Sequence, residues 1–243
     1  MTILGLDCAG KTAGVAIYRE DALLYEARLC AGFTHSETLL CLCQDALHAC
    51  RLSPDDISLF AVTAGPGSFT GLRIGLAVVK GLAFCNETPC AGVSTLEALA
   101  FCAPPAGSCL CALDARRGEV YHAAFSLGPD GPARLWADGH APAQSIVAQA
   151  KQLPGPLWLV GDGAHLMLQA LAGQRTDDVF MLGESARCSA AVGVCLAARH
   201  AVPQNAESLS PQYLRLSQAE RERKEKLAKL NNTEPDRTER KLV

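Results

Sequence analysis

Gly5-Leu6-Asp7-Cys8-Ala9-Gly10-Lys11-Thr12, near the start of the 243-residue chain, decides the fold because it reads in two incompatible ways. Taken literally it is G-x-x-x-x-G-K-T, the spacing of a phosphate-binding P-loop. A working P-loop leaves a buried strand and opens a helix whose N-terminal amides hold the phosphates. Here Thr12 leads into Ala13-Gly14-Val15-Ala16-Ile17-Tyr18, a β-rich run with no helix start, and Asp7 would fall inside the cradle. The context favours Asp7 at the end of a strand and Cys8 to Ala13 as the turn of a hairpin.

Working outward, Ile3 to Asp7, Val15 to Tyr18 and Leu23 to Arg28 form a three-stranded meander. After His35 the spacing of Leu39, Leu40, Leu42, Cys43, Ala46 and Leu47 predicts a helix to about Cys50. Ile57 to Thr63 is a strand running into the turn Ala64-Gly65-Pro66-Gly67-Ser68. Thr70 to Phe84 is a helix apolar on nearly every side, in which Gly71 and Gly75 admit a close backbone. Cys90 to Val93 is a strand and Ser94 to Cys102 a helix capped by Ser94 or Thr95, with Glu97 placed for a capping box. A linker follows at Ala103 to Gly107.

The order then begins again. Strands are expected at Cys109 to Asp114, Glu119 to Phe125 and Ala133 to Trp136, then a helix from about Pro142, a strand at Leu157 to Val160 and a helix from Ala164. Such an architectural repeat implies two similar α/β lobes, assigned to residues 1–104 and 105–202, the second including an Ala-rich helix over Ser185 to Ala201. Residues 203–216 form a connecting segment in which Pro211 excludes a helix interior. Residues 217–243 form a charged tail, helical through AERERKEKLAKL and disordered from Asn231.

Composition narrows the class of protein. Apolar residues make up 49% and charged ones 19%, with no apolar run of the roughly 18 residues that a membrane span needs. No secretory signal is readable at the start, so the cytoplasm is the expected location. The twelve cysteines fall within apolar segments, as small buried hydrophobes do. Cys41/Cys43 and Cys109/Cys111 are spaced C-x-C, without neighbouring His to complete a zinc site. The net charge of −3 is uneven: Lys/Arg number 8 against 6 Asp/Glu from Gln218 onward, and 14 against 19 before it. Contact with RNA is therefore limited or shared.

The hairpin reading has the layout of the actin, Hsp70 and sugar-kinase superfamily, in which an acidic first-strand residue and the hairpin face nucleotide phosphates and metal. On that layout Asp7, Gly10, Lys11 and Thr12 form a vestigial nucleotide-binding set. An ordinary turn with a solvated Asp7 fits the spacing equally. The segment Thr63-Ala64-Gly65-Pro66-Gly67-Ser68-Phe69-Thr70-Gly71-Leu72-Arg73-Ile74-Gly75-Leu76-Ala77, continuing through Lys80-Gly81-Leu82-Ala83, closely resembles the signature of the TsaB (YeaZ) family. So do Leu113 to Tyr121, Val160-Gly161-Asp162-Gly163-Ala164, Ser210-Pro211-Gln212-Tyr213-Leu214-Arg215 and the helix start His35 to Leu40. The resemblance covers about residues 1–216.

It implies two actin-like (ASKHA superfamily, RNase H-like) lobes, the second reduced. It also implies a non-catalytic subunit that binds and activates the catalytic paralogue TsaD, in the complex that modifies the adenosine beside the anticodon of tRNA to threonylcarbamoyladenosine. The P-loop ATPase TsaE joins the pair and tRNA is met through the complex; an apolar helix pair that a partner covers should also make the isolated chain self-associate, as a homodimer. Metal-assisted transfer by the paralogue uses paired histidines on one helix, whereas Thr38 and Leu39 follow His35 here. The family's usual Asp-Thr-Ser reads Asp7-Cys8-Ala9, removing two hydroxyls that contact phosphate. The expectation is no metal site, no tightly bound cofactor, and ATP or ADP only at the complex interface.

Phe69, Leu72, Leu76 and Val79 lie at spacings of three and four, either as a contact stripe for a partner helix or as lobe core. Arg73 and Lys80 belong to the same interface or to a solvated face, and His35 and Glu37 either to it or to a helix cap. Arg116, Arg117 and Tyr121 touch RNA or a partner near the cleft, or form a turn network with Asp114 and Glu119. An autonomous actin-like ATPase or kinase is the competing function. A protease has no Ser/His/Asp or H-E-x-x-H constellation to support it.

Overall fold

The computed structural model describes residues 1–183 and 190–215. The tail over 217–243 and the start of the Ala-rich helix at Ser185 lie outside the described residues. Strand β1 (Thr2–Asp7) pairs antiparallel with β2 (Ala13–Arg19) from Thr2↔Arg19 to Asp7↔Gly14, so the first turn is a hairpin and no helix follows it. With β3 (Ala22–Leu29), β4 (Leu59–Gly65) and β5 (Cys90–Ser94) they form a sheet of order β3-β2-β1-β4-β5, in which β4 and β5 run parallel to β1.

The second sheet repeats this order. Strands β6 (Gly107–Asp114), β7 (Glu119–Gly128), β8 (Gly131–Arg134), β10 (Leu157–Val160) and β11 (Val179–Met181) are arranged β11-β10-β6-β7-β8, and β9 (Gly139–Pro142) pairs with β7. Both sheets thus have an antiparallel meander extended on one side by parallel strands, the RNase H-like topology of actin-like lobes. The second is built from shorter outer strands of three or four residues. Sequence periodicity missed β9 and β11 and placed β8 two residues late.

Three cores hold the elements together. On the outer face of the first sheet, Leu4, Leu6, Val15, Ile17, Phe60 and Val62 meet helices α1 (His35–Ala49) and α2 (Phe69–Phe84). On its inner face, Ile3, Ala61 and Val93 meet α3 (Thr95–Ala100) and α6 (Ala191–Ala198), and this core continues into Cys109, Cys111, Ala123 and Phe125 of the second sheet. Strands covered on both faces read as unbroken apolar runs, as β1 and β4 do. The outer face of the second sheet packs on α4 (Val147–Ala150) and α5 (Ala164–Leu171).

Two segments late in the chain return to the first lobe. Helix α6 packs on β1 and β2 of the first sheet, although chain order assigns it to the second lobe. Gly5 and Gly193 explain why: a side chain on Gly5 would stand 2.6 Å from Cys195 Sγ, and one on Gly193 would stand 1.9 Å from the Ala98 carbonyl. Residues 203–213 likewise form a strap on the first lobe, and Arg215 beyond them reaches the second, donating to the Ala115 carbonyl at 2.6 Å. Gln204 bridges Cys90, Leu209 is buried in the outer core, and the Gln212 amide donates to the Ala64 carbonyl at 2.7 Å.

Candidate functional site

The first hairpin turn is pressed into α2. Gly67, Gly71 and Gly75 follow one another at intervals of four, and an added Cβ would stand 2.6 Å from the Ala9 carbonyl oxygen, 2.1 Å from the Cys8 carbonyl oxygen and 2.1 Å from Cys8 Sγ respectively. His35 Nε2 donates to the Gly10 carbonyl at 2.9 Å, fixing the turn from the α1 side. Asp7 is buried and accepts from the amides of Ala9 (3.2 Å) and Ala190 (2.9 Å) and from the Thr63 hydroxyl (3.3 Å). Burial raises its pKa, and these hydrogen bonds offset only part of that rise. The Cys8 thiol is pushed up to about 12, chiefly by burial.

Of the expected nucleotide-facing residues, then, Gly10 and Lys11 line the cleft between the lobes, while Asp7 and Thr12 are buried away from it. Asp7 is occupied in joining the turn to α6.

That cleft has a volume of about 460 Å³. Ser68, Phe69 and Thr70 at the start of α2 form part of its first wall, and the β6–β7 hairpin, Asp162 and Arg215 form the second. Arg116, Arg117 and Gly118 all have positive φ, at 66°, 58° and 74°, so two consecutive arginines sit in the left-handed region. Asp114 holds the turn by accepting from the Arg116 amide at 2.7 Å. Asp162 Oδ1 accepts from the Asp114 amide at 2.9 Å, and burial raises the Asp162 pKa. Gly161 lets this happen, since a side chain there would meet the Ala112 carbonyl at 2.1 Å. Glu119 takes Arg215 at 2.7 Å and His140 at 3.2 Å. Exposed cations at the mouth suit an anionic ligand. Among the described residues no three His, Cys, Asp or Glu side chains converge as metal ligands.

The two readings of the α2 stripe separate on burial. Leu72, Leu76 and Val79 are at most 4% exposed and belong to the lobe's own core. Phe69 stacks on Tyr213 of the strap, with ring centres 3.8 Å apart. Arg73 Nε donates to the Tyr213 hydroxyl at 2.8 Å, and Lys80 Nζ donates to the Glu207 carbonyl at 3.3 Å. Glu37 caps α1: its Oε2 accepts from the Thr34 amide at 3.0 Å and from the Thr34 hydroxyl at 2.7 Å, which holds its pKa low. What α2 leaves free lies a step further round, at Ala77, Gly81 and Phe84, the last 79% exposed, with Ile74 and Val78 half-buried beside them. Phe33 and Leu40 are exposed at and before α1. Small residues at intervals of four, Ala77 and Gly81, were the available signal.

Fold and cleft together define a two-lobed actin-like protein whose first turn is packed shut. A family model described as "TsaD: tRNA N6-adenosine threonylcarbamoyltransferase" matches residues 30–221. The chain is 28% identical to the "tRNA threonylcarbamoyladenosine biosynthesis protein TsaB" of Bacillus subtilis, over 90% of this chain and 96% of that one. It is 35% identical to the protein of the same name from Escherichia coli, over 67% and 72%. The solved "YeaZ from Pseudomonas aeruginosa" superposes with a TM-score of 0.71 at 26% identity, covering 88% of this chain and 99% of that one. The chain belongs to the TsaB (YeaZ) family of tRNA threonylcarbamoyladenosine biosynthesis proteins.

Proposed function

We propose that this chain is the non-catalytic subunit of the tRNA threonylcarbamoyladenosine synthesis complex, binding and activating the catalytic paralogue TsaD. The observation that carries this reading is the free face of α2. Ala77, Gly81 and Phe84 form an exposed small and apolar row on a helix whose other exposed positions, Thr70 and Arg73, face the cleft and the strap. Small residues let a second helix approach closely, and exposed apolar surface of this kind marks an interaction site. The same face serves a homodimer when the chain is alone. TsaE joins the assembled pair, tRNA meets the chain through the complex, and any ATP or ADP is held at the complex interface.

The competing reading, an autonomous ATPase or kinase, has the cleft with Lys11 and Arg116 in its favour. Against it, Asp7 is turned into the core and bonded on both carboxylate oxygens. The test is reconstituted synthesis with TsaD and the remaining components, with and without this chain. Product formation that depends on the chain supports the proposal. Magnesium-dependent ATP turnover by the chain alone, with no effect on the paralogue, would favour the competitor.

A further inference from the structure

The β6–β7 hairpin has a feature that holding two lobes together does not require. Arg116 and Arg117 sit successively in the left-handed region, which L side chains avoid and which glycine or asparagine fills without strain. Both are exposed. Five other arginines are engaged: Arg73 with Tyr213, Arg134 with Glu97 and Asp138, Arg175 with Asp178, Arg199 with Asp21, and Arg215 with Glu119. Arg51 also has positive φ and is exposed, but it stands alone after α1, away from the cleft lining. Among the described residues, no hydrogen bond or ion pair engages the side chains of Arg116, Arg117 or Lys11.

The carboxylates around them each have another partner. Asp114 accepts from the Arg116 amide, Asp162 accepts from the Asp114 amide, and Glu119 is shared by Arg215 and His140. Lys11 lies near enough to Asp162 to lower its pKa without pairing with it. Lys11 and Arg116 therefore line the cleft as unpaired cations, with Arg117 exposed next to Arg116 at the hairpin tip, on a body whose overall charge is negative. Strained backbone that persists at such a place points to a ligand, and guanidiniums match phosphate geometry well.

We propose that the tip of the β6–β7 hairpin, Arg116 and Arg117 with Lys11 across the cleft, contacts the phosphodiester backbone of RNA. A protein partner is less well matched, because Arg116-Arg117-Gly118 offers no apolar side chain to bury. This inference rests on the proposed membership of the complex and names the part of the chain that touches its RNA.

The experiment compares wild type with an Arg116→Gly, Arg117→Gly variant. Each full-length chain is mixed with the catalytic paralogue and titrated into a labelled, unmodified tRNA transcript between 50 and 200 mM salt, with the paralogue alone as baseline. Melting temperature and co-elution with the paralogue are measured in parallel. Glycine relieves the turn, so the variant should melt higher and still co-elute, yet bind RNA roughly tenfold more weakly at low salt. The slope of log affinity against log salt should flatten by about 1.4 to 1.8, for two lost phosphate contacts.

Unchanged affinity and slope would overturn the inference, leaving the arginines as turn residues only. So would loss of the paralogue by the variant, which would make the hairpin a protein contact. Should wild type fail to co-elute, the proposed function is what fails. The same titration with the chain alone then decides the RNA contact, and absence of arginine-dependent binding overturns it.

Discussion

The two hairpins at the mouth of the cleft stand at equivalent places in sheets of the same strand order, and they are used in opposite ways. In the first, glycines lie in the neighbouring helix, at 67, 71 and 75, so the turn sinks against α2 and Asp7 is buried. In the second, the only glycine of the turn is Gly118, with open space around it, and charged residues are held out to solvent. Repeated topology thus fixes where a turn lies, while the placement of glycine decides whether it becomes core or surface.

Carboxylate removal should break the comparison open most widely. Asp7→Ala strands two buried amides and the Thr63 hydroxyl, and each unsatisfied group costs about 1 to 3 kcal/mol. A loss of roughly 3 to 5 kcal/mol is expected in urea denaturation. Asp114→Ala frees one exposed amide and should cost below about 1 kcal/mol. Similar losses at both positions would mean that the hairpins do not differ as described.

Next comes backbone proximity. Gly71→Ala forces a methyl into the Cys8 carbonyl and should cost about 2 to 3 kcal/mol, the upper part of the range for overpacking. Gly10→Ala meets nothing within 4 Å and should stay within about 0.5 kcal/mol of wild type. The second hairpin should respond in the reverse direction: Arg116→Gly relieves a left-handed residue and should stabilise by about 1 kcal/mol.

The smallest effect is a dependence on pH. Burial raises Asp162 above the ordinary aspartate range, so between that range and the raised value the folded chain holds a proton that the unfolded chain releases. Stability from this group is therefore greatest at low pH and declines as pH rises through the window. Asp162→Asn keeps an oxygen for the Asp114 amide and should flatten that decline in pH-dependent melting. An unaltered profile would assign the decline to other groups.

The hairpin was legible from the chain because the residues after Thr12 form a β-rich run with no helix start, which spoke against the P-loop despite its matching letters. The repeat was legible too, since each lobe carries its own turn signals. Strand β9, Gly-His-Ala-Pro, was not: four residues with Gly and Pro lack any β composition. The route of α6 back to the first sheet depends on Gly5 and Gly193 meeting atoms far away in sequence, which no local pattern records. For α2 the reason is different. A helix apolar all round has no moment to say which side faces its own sheet, and so the spacing of Leu72, Leu76 and Val79 fits a partner stripe and lobe core equally; they are buried, while Ala77, Gly81 and Phe84 are exposed. Phe69 gave no sign that Tyr213, 144 positions on, would cover it.

That rotation of the face makes Leu76→Arg a poor probe, since it would disrupt the core, and makes Ala77→Arg the direct one. The decisive measurement is size-exclusion chromatography of the full chain mixed with TsaD, wild type against Ala77→Arg, with melting temperatures recorded for both. Co-elution of wild type, and its loss in a variant that melts within a few degrees of wild type, is the predicted result. Wild type that fails to co-elute, or a variant that co-elutes equally well, would contradict the assignment of α2 as the partner-binding helix.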